Sequence, residues 1–300
     1  MMSYHNPVML KESVDALEIK STGVYVDATY GGGSHSAEIL KRLGKNGKLI
    51  AFDKDLDAQK NKNTDKRLVF VDQDFKYLEN YISFFGFSKI DGLLADLGVS
   101  SHQFDIAERG FSFRFDSMLD MRMDQRNRKT AASILEEYGE KELADMFFNF
   151  GELRNARKIA AAIVSFRKKQ SLKTNKDLYE CLSPFIPKIH EHKFLAKLYQ
   201  AIRIELNEEM ESLKEMLLAT AKVIKTGGNL VVLSYHSIED RLVKNFMKTG
   251  NFEGIAEKDF FGKPIKPFDS YNNKTITAGE EEIKENNRAR SAKLRIAKKL

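Results

Sequence analysis

The feature that most restricts the fold of this chain is a recurring unit, a short apolar run ending on an aspartate. Gly23–Asp27, Gly47–Asp53 and Lys89–Asp96 all have this form, and Leu68–Val71 is a further short apolar run. Near-continuous apolar strands must be covered on both faces, and the helix-period segments between them supply the cover. The first hundred residues therefore predict an α/β fold with a parallel sheet. After the first run, Gly31-Gly32-Gly33-Ser34 reads as a turn. Ala37, Leu40 and Leu43 then recur at helical spacing until Gly44 stops them.

The pattern breaks near residue 104. Ala131–Phe150, Asn155–Lys169, Asn175–Leu182 and Phe194–Glu211 carry apolar residues at i, i+3 and i+4, which predicts helices. Thr174 and Asp177 read as a capping box at the start of the third. The strand signal returns after Gly227-Gly228 as Asn229–Ser234, with a helix predicted over Ile238–Lys248. The organisation expected is a core over 1–103, a helical insert over 104–204 that recognises substrate, and the rest of the core over 205–300.

Open parallel sheets bind ligands at the carboxyl ends of their strands. Here those ends carry Asp27, the Gly31–Ser34 turn, Asp53, Asp96 and the Ser234-Tyr235-His236 turn. Asp53 stands 20 positions after Gly33, a spacing that suits hydrogen bonds from ribose hydroxyls. A dinucleotide site would want a third glycine where this chain has Ser36, and it would not want Asp27 beside a pyrophosphate. A carboxylate there favours a cation. S-adenosylmethionine has an adenosine, a sulfonium and an ammonium, and no phosphate, so these residues favour a methyltransferase over a dehydrogenase.

Charge points to a polyanion. The net charge is +6, and residues 284–300 supply all of it, with seven Lys/Arg against one acid. A second cluster, residues 153–176, has eight basic side chains and no acid. Two such segments on an otherwise neutral chain fit nucleic acid, with Arg154, Arg157, Lys158, Arg288, Arg290 and Arg295 as phosphate contacts. The tail has a second reading, in which its arginines fold back onto acids such as Asp240. The one cysteine, Cys181, excludes a disulfide framework and reads as a core thiol on a helix. No apolar run approaches the ~18 residues of a membrane span, and Met1–Glu12 has no secretory pattern. A cytoplasmic protein without membrane contact is expected. No metal site is expected, because His190-x-His192 lacks companions and reads as a solvated loop.

Several blocks, taken in order, resemble the bacterial MraW family of small-subunit rRNA cytosine-N4 methyltransferases. They are His5–Glu12, Asp27–Ser36, Asp96–Gln103, Glu108–Arg114, Leu119–Asp124, Ser234–Arg241 and Asn287–Arg295. The blocks span nearly the whole chain. Two small departures are Ser34 where the family usually has Gly and Asn287 where it usually has Pro. The resemblance implies a Rossmann-like S-adenosylmethionine-dependent core with an inserted helical domain. It implies one cytidine in the decoding region of 16S rRNA as substrate, methylated on N4 within the assembled small subunit. It also implies cofactor contacts at Gly33, Ser34, His35, Asp53, Phe75, Asp96 and Gln103.

The cytosine N4 amine is a poor nucleophile because its lone pair is delocalised into the ring. Many amino methyltransferases hold such an amine with an Asp/Asn-Pro-Pro-aromatic turn after the fourth strand. Here the turn is Asp96-Leu97-Gly98-Val99, with the acid kept and the prolines and aromatic missing. Asp96 either accepts an N–H of the amine or serves the cofactor, and stacking would come from Tyr235, Phe111 or Phe113. His236 either meets the base or pins its turn, while His35 reads as a hydrogen-bonding loop residue. Asp96, Tyr235 and His236 are the catalytic candidates. The methylated nitrogen is acidified, so positioning outweighs strong base catalysis. Cys181, away from a strand-end turn, argues against carbon-5 methylation, which needs a thiolate. Two rivals stay open, a non-catalytic RNA-binding or assembly factor and a methyltransferase acting on another nucleic acid. The oligomeric state, homodimer included, is open too.

Overall fold

The computed structural model describes residues 7–270 and 275–300, so His5 and Asn6 of the first family block lie outside the described residues. The chain forms two compact units, one of Met1–Gly98 with Met210–Leu300 and one of Val99–Glu209.

The first unit is built on a seven-stranded sheet. Its strands are β1 (Val24–Asp27), β2 (Lys48–Phe52), β3 (Leu68–Val71), β4 (Ile90–Asp96), β5 (Ile224–Ser234), β6 (Phe268–Ser270) and β7 (Lys293–Lys299). They lie in the order β3-β2-β1-β4-β5-β7-β6. The first five pair in parallel, and β7 runs antiparallel to both its neighbours. Chain order reverses between β1 and β4, which opens a crevice at their carboxyl ends.

The pleat sorts the apolar runs onto two faces. Val26, Ile50, Leu93, Leu230 and Val232 pack with Leu213, Leu217 and Phe246. The alternate residues Tyr25, Leu49, Leu94, Val231 and Leu233 pack with Val14, Leu17, Ile39 and Leu40. Both faces are dry, which is why these strands read as continuous apolar runs rather than alternating ones.

The segment expected as a basic tail is partly a strand. Residues 293–299 form β7, with Leu294 and Ala297 buried. Its Arg295 Nε donates to Asp240 Oδ1 at 2.6 Å, and Lys293 Nζ lies 3.0 Å from Asp240 Oδ2. Of the two readings of the tail, the fold-back onto Asp240 is the one observed, and this corrects the assignment of Arg295 to phosphate. Arg290 is exposed, whereas Arg288 is only half-exposed on the short 3₁₀ turn Asn287–Ser291.

The second unit is helical. Its helices include Ala131–Glu137, Glu140–Gly151, Ala156–Arg167, Asn175–Leu182 and Glu191–Leu206. Leu135, Leu143, Phe147, Ile159, Ile163, Leu198 and Ile202 lie in its core. Two helices expected to be continuous are broken. Gly139 caps the second half of the first pair, its N–H donating to Glu142 Oε2 at 2.7 Å. Near residue 207, Asn207 leaves the helical pattern to accept from Met123 N at 2.7 Å and donate to Met121 O at 2.9 Å. Glu208 then takes a left-handed φ of 52°, and the helix Glu209–Val223 starts afresh. The unit's limits, 99 and 209, lie five residues outside the expected 104 and 204 at each end. Cys181 is buried here, and burial pushes its thiol up to about 11, the state of an inert core cysteine. Among the described residues no helix is long and apolar enough to cross a membrane.

Candidate active site

Three carboxylates and a glycine turn converge at the carboxyl ends of β1, β2 and β4. Asp27, the last residue of β1, is fully buried. Its Oδ2 accepts from Ser36 Oγ at 2.6 Å and its Oδ1 from Thr29 N at 3.1 Å. Burial raises the Asp27 carboxyl above its ordinary range, partly offset by the neighbouring His35. Ser36 thus uses its hydroxyl on the carboxylate at the position where a dinucleotide loop would have its third glycine.

The turn itself needs its glycines. Gly33 has φ 77°, and a Cβ there would stand 2.6 Å from Tyr30 Oη. Gly33 directly precedes the helix Ser34–Arg42, so backbone N–H groups of its first turn face the crevice end of the sheet. Asp53, just past β2, accepts from Gly31 N at 2.7 Å through Oδ2 and from Asp55 N at 2.9 Å through Oδ1. Each oxygen keeps a lone pair for a further donor. Burial pushes this carboxyl up to about 7, with Asp55 and Asp27 adding to the rise and the two N–H bonds opposing it.

Asp96 ends β4. Its N–H donates to Thr29 Oγ1 at 2.6 Å, which ties the β4 end to the loop after β1. Its Oδ1 accepts from Tyr235 Oη at 2.6 Å, and its Oδ2 lies 3.9 Å from His35 Nδ1. Burial raises the Asp96 carboxyl, with His35 and the tyrosine hydroxyl pulling the other way. His35 is buried and its Nε2 has no hydrogen-bond partner among the described residues. An unpartnered buried nitrogen is a group in want of a ligand.

Tyr235 and His236 form the turn after β5. Tyr235 N donates to Glu239 Oε2 at 3.0 Å. His236 caps the helix Ser237–Thr249, its Nδ1 accepting from Glu239 N at 3.4 Å, while its Nε2 lies 3.1 Å from Glu239 Oε1. The Nδ1 bond pins the turn, while Nε2 is buried with no hydrogen-bond partner among the described residues, so the geometry accommodates both roles left open for His236. Tyr235 is oriented by its hydroxyl toward Asp96, a hydrogen-bonding role that its reading as a stacking ring did not include. Phe111 is 3% exposed, which removes it as a stacking platform.

The remaining expected contacts fall in two places. Phe75 is half-buried at the start of the 3₁₀ turn Phe75–Tyr77, which Asp74 caps by accepting from Lys76 N at 2.9 Å. Gln103 belongs to the other unit, where it closes a capping box with Ser100. Arg154, Arg157 and Lys158 are exposed at the start of the helix Ala156–Arg167. Thr29, Ser36 and Glu239 were not singled out for these roles. Thr29 and Ser36 lie within the glycine block and Glu239 within the Tyr235 block, yet nothing in the sequence says which carboxylate each one holds. No three His, Cys, Asp or Glu side chains gather as metal ligands among the described residues.

The site favours a cation over a phosphate, because buried carboxylates without counter-charge are costly and a positive ligand relieves them. A ribose finds acceptors at Asp53, and a close-approaching backbone finds room at Gly33. On a Rossmann-like sheet with an antiparallel strand beside its fifth, that selectivity defines the class of S-adenosylmethionine-dependent methyltransferases. Comparison with known proteins narrows this. A family model described as the MraW methylase family matches residues 2–300, and the chain belongs to that family.

Curated relatives match end to end. The chain is 55% identical over 298 residues to a ribosomal RNA small subunit methyltransferase H of Parabacteroides distasonis, covering 99% of this chain and 98% of that one. It is 53% identical over 300 residues to the protein of the same name from Christiangramia forsetii, covering 100% and 99%. A solved rRNA methylase from Streptococcus thermophilus aligns over 100% of this chain and 99% of that chain at 13% identity, with a TM-score of 0.40. So loose a superposition carries no detail of the site.

Proposed function

We propose that this protein transfers a methyl group from S-adenosylmethionine to the N4 amine of a cytidine in the decoding region of 16S rRNA. Its substrate would be the assembled small ribosomal subunit, in the cytoplasm. The relatives' shared name supports the RNA class, and the matched motif blocks support the base and position. The observation that carries the chemistry is Asp96, a carboxylate at the end of β4 that is held by Tyr235 on one oxygen and faces His35 with the other.

When bound, S-adenosylmethionine supplies an electrophilic methyl on a positively charged sulfur. Asp53 would accept hydrogen bonds from the ribose hydroxyls, and Phe75 would lie against the adenine. Gly33, Ser34 and His35 would hold the methionine end, where the unpartnered His35 Nε2 would find a partner. Asp96 Oδ2 accepts an N–H of the target amine and so turns the nitrogen lone pair out of the ring plane. Tyr235 fixes that carboxylate in one rotamer. Once nitrogen is methylated it carries an extra proton, which Asp96 can receive because burial has raised its carboxyl. Most of the acceleration would then come from orientation. Arg154, Arg157 and Lys158 on the inserted unit would meet phosphates and place the enzyme without reading sequence.

The test is mass-spectrometric mapping of rRNA from a strain lacking the gene. Loss of N4-methylation at one decoding-region cytidine is the expected result, and an unchanged modification map would overturn the reading. Assays of the purified protein on DNA, tRNA, deproteinised rRNA and intact subunits separate the substrate classes.

A further inference from the structure

The segment after the helix Ser237–Thr249 ends in a tight hairpin that holds two phenylalanines in water. Lys258 bridges Pro264, and Ile265 N donates to Glu257 O at 2.8 Å across the stem. At the turn, Asp259 N donates to Lys263 O and Gly262 N to Asp259 O, both at 2.9 Å. The Asp259 carboxylate accepts from Phe261 N and Lys263 N, each at 2.9 Å. The backbone is therefore fixed, and the acid at its turn, Asp259, is directed inward onto N–H groups, while Glu257 in the stem is exposed.

What it presents is apolar and planar. Phe260 is 97% exposed and Phe261 is 83% exposed, with their rings edge to face at 5.5 Å. Ile255 and Ile265 are exposed nearby in the sequence. Lys258 and Lys263 flank the rings and have no ion pair among the described residues. A phenylalanine ring is ordinarily buried, and a pair held out by a fixed turn is a site and not an accident of a loose loop.

We propose that this hairpin is a second RNA contact, in which Phe260 and Phe261 stack on unpaired bases while Lys258 and Lys263 take the adjoining phosphates. The proposal rests on the RNA substrate argued above and adds the element that grips it. Aromatic rings interleaved with free cations are the chemistry that holds single-stranded RNA, since each base offers a face and each linkage a charge. An apolar pocket on a protein would use the rings and isoleucines but would gain nothing from two unpaired lysines.

The chain contains no tryptophan, so Phe260→Trp installs the sole indole at the tip. Its emission is followed as deproteinised small-subunit RNA, and separately intact subunits, are added. Stacking predicts quenching by the RNA. A blue-shifted, brighter signal with subunits and none with RNA would instead mean a protein pocket. A shift that depends on enzyme concentration alone would mean a second copy. Either overturns the proposal, as does an unchanged signal in a variant that still methylates.

In steady state, Phe260→Ala with Phe261→Ala should raise KM for the RNA substrate by about tenfold or more, given typical base–aromatic stacking. The rate at saturating substrate and the affinity for S-adenosylmethionine should hold. The paired Leu variant, apolar but not planar, should fail like the Ala variant, and full rescue by Leu would overturn stacking. Because the rings touch solvent, the melting temperature should not move. If wild-type protein methylates no RNA at all, the proposed function fails, while the quenching still decides the hairpin.

Discussion

Tyr235 Oη donates to Asp96 Oδ1 at 2.6 Å, joining two residues 139 positions apart at the ends of neighbouring strands. The bond does two things. It leaves Asp96 with one oxygen facing the crevice, and it raises the tyrosine hydroxyl far above its ordinary range, through burial first and the carboxylate second. Tyr235 is therefore a fixed donor at all working pH values and never a base.

Tyr235→Phe removes that bond without removing the ring. A hydrogen bond to a charged group is worth about 2 kcal/mol, so single-turnover methylation should fall roughly 30-fold. Binding of S-adenosylmethionine, measured by calorimetry, should change little. Asp96→Asn should cost more, about a hundredfold in the same assay. A near wild-type single-turnover rate in the Asp96 variant would remove it from the chemistry.

Asp53 gives a pH signature. Its carboxyl sits at about 7 in the cofactor-free protein. Ribose hydroxyls donate to the ionised form, so below pH 7 binding must first expel a proton. Affinity should weaken about tenfold for each unit of pH below 7 and level off above it. Asp53→Ala should bind about 2 kcal/mol more weakly with no such slope. The stability sign is opposite. A carboxyl raised by burial favours the folded state at low pH, and that contribution is lost as pH rises through 7. The melting temperature of the free protein should therefore fall between about pH 4 and 7 and level off above 7, and cofactor should blunt the fall. An affinity that is flat from pH 5.5 to 8 would rule out Asp53 as the ribose acceptor.

Neutralising Arg154, Arg157 and Lys158 together should flatten the salt dependence of subunit binding. Each lost phosphate contact lowers the slope of log affinity against log salt by roughly 0.7 to 0.9. The methylated position should stay the same. An unchanged slope would mean this face does not touch RNA.

Asp240 holds β7 to its neighbours through Arg295 and Lys293. Burial pushes its carboxyl up, but the two cations more than offset that and hold it below the usual range. Its contribution is thus present at neutral pH and lost in acid. Asp240→Ala should destabilise the core by about 2 kcal/mol, a loss of several degrees in melting temperature. Deleting 287–300 should do far more, because a whole strand goes with it. A deletion that melts like wild type would contradict the sheet described here.

Much of the core was legible because its strands are dry on both faces. Val24–Asp27, Lys48–Phe52 and Ile90–Asp96 are apolar runs with a turn at one end and an acid at the other. The strand β7 was not, because Lys293-Leu294-Arg295-Ile296-Ala297-Lys298-Lys299 is dominated by charges whose partners lie far away, at Asp240 and Glu18. The three aspartates were legible from their positions at strand ends. Their mutual arrangement was not, since Thr29–Asp96 and Tyr235–Asp96 are contacts made only when strands distant in sequence lie side by side. Helix breaks at Gly139 and Asn207 were missed for a related reason, as apolar periodicity runs straight through both.

The placement of β7 sets an order of events while the protein is being made. The residues of the helical unit have all been synthesised by residue 209. The sheet must wait for residues 293–299, because β7 lies between β5 and β6. At ordinary translation rates that interval is roughly ten seconds. From the completion of β5 at residue 234 until β7 follows, this apolar strand, with all of Asn229–Ser234 buried in the finished fold, has an open edge on the side β7 will occupy. An edge of that kind is a template for pairing with other chains. The lysines and arginine of β7 cannot guard it until they arrive, so the nascent core passes through a window in which chaperone binding or aggregation competes with closure.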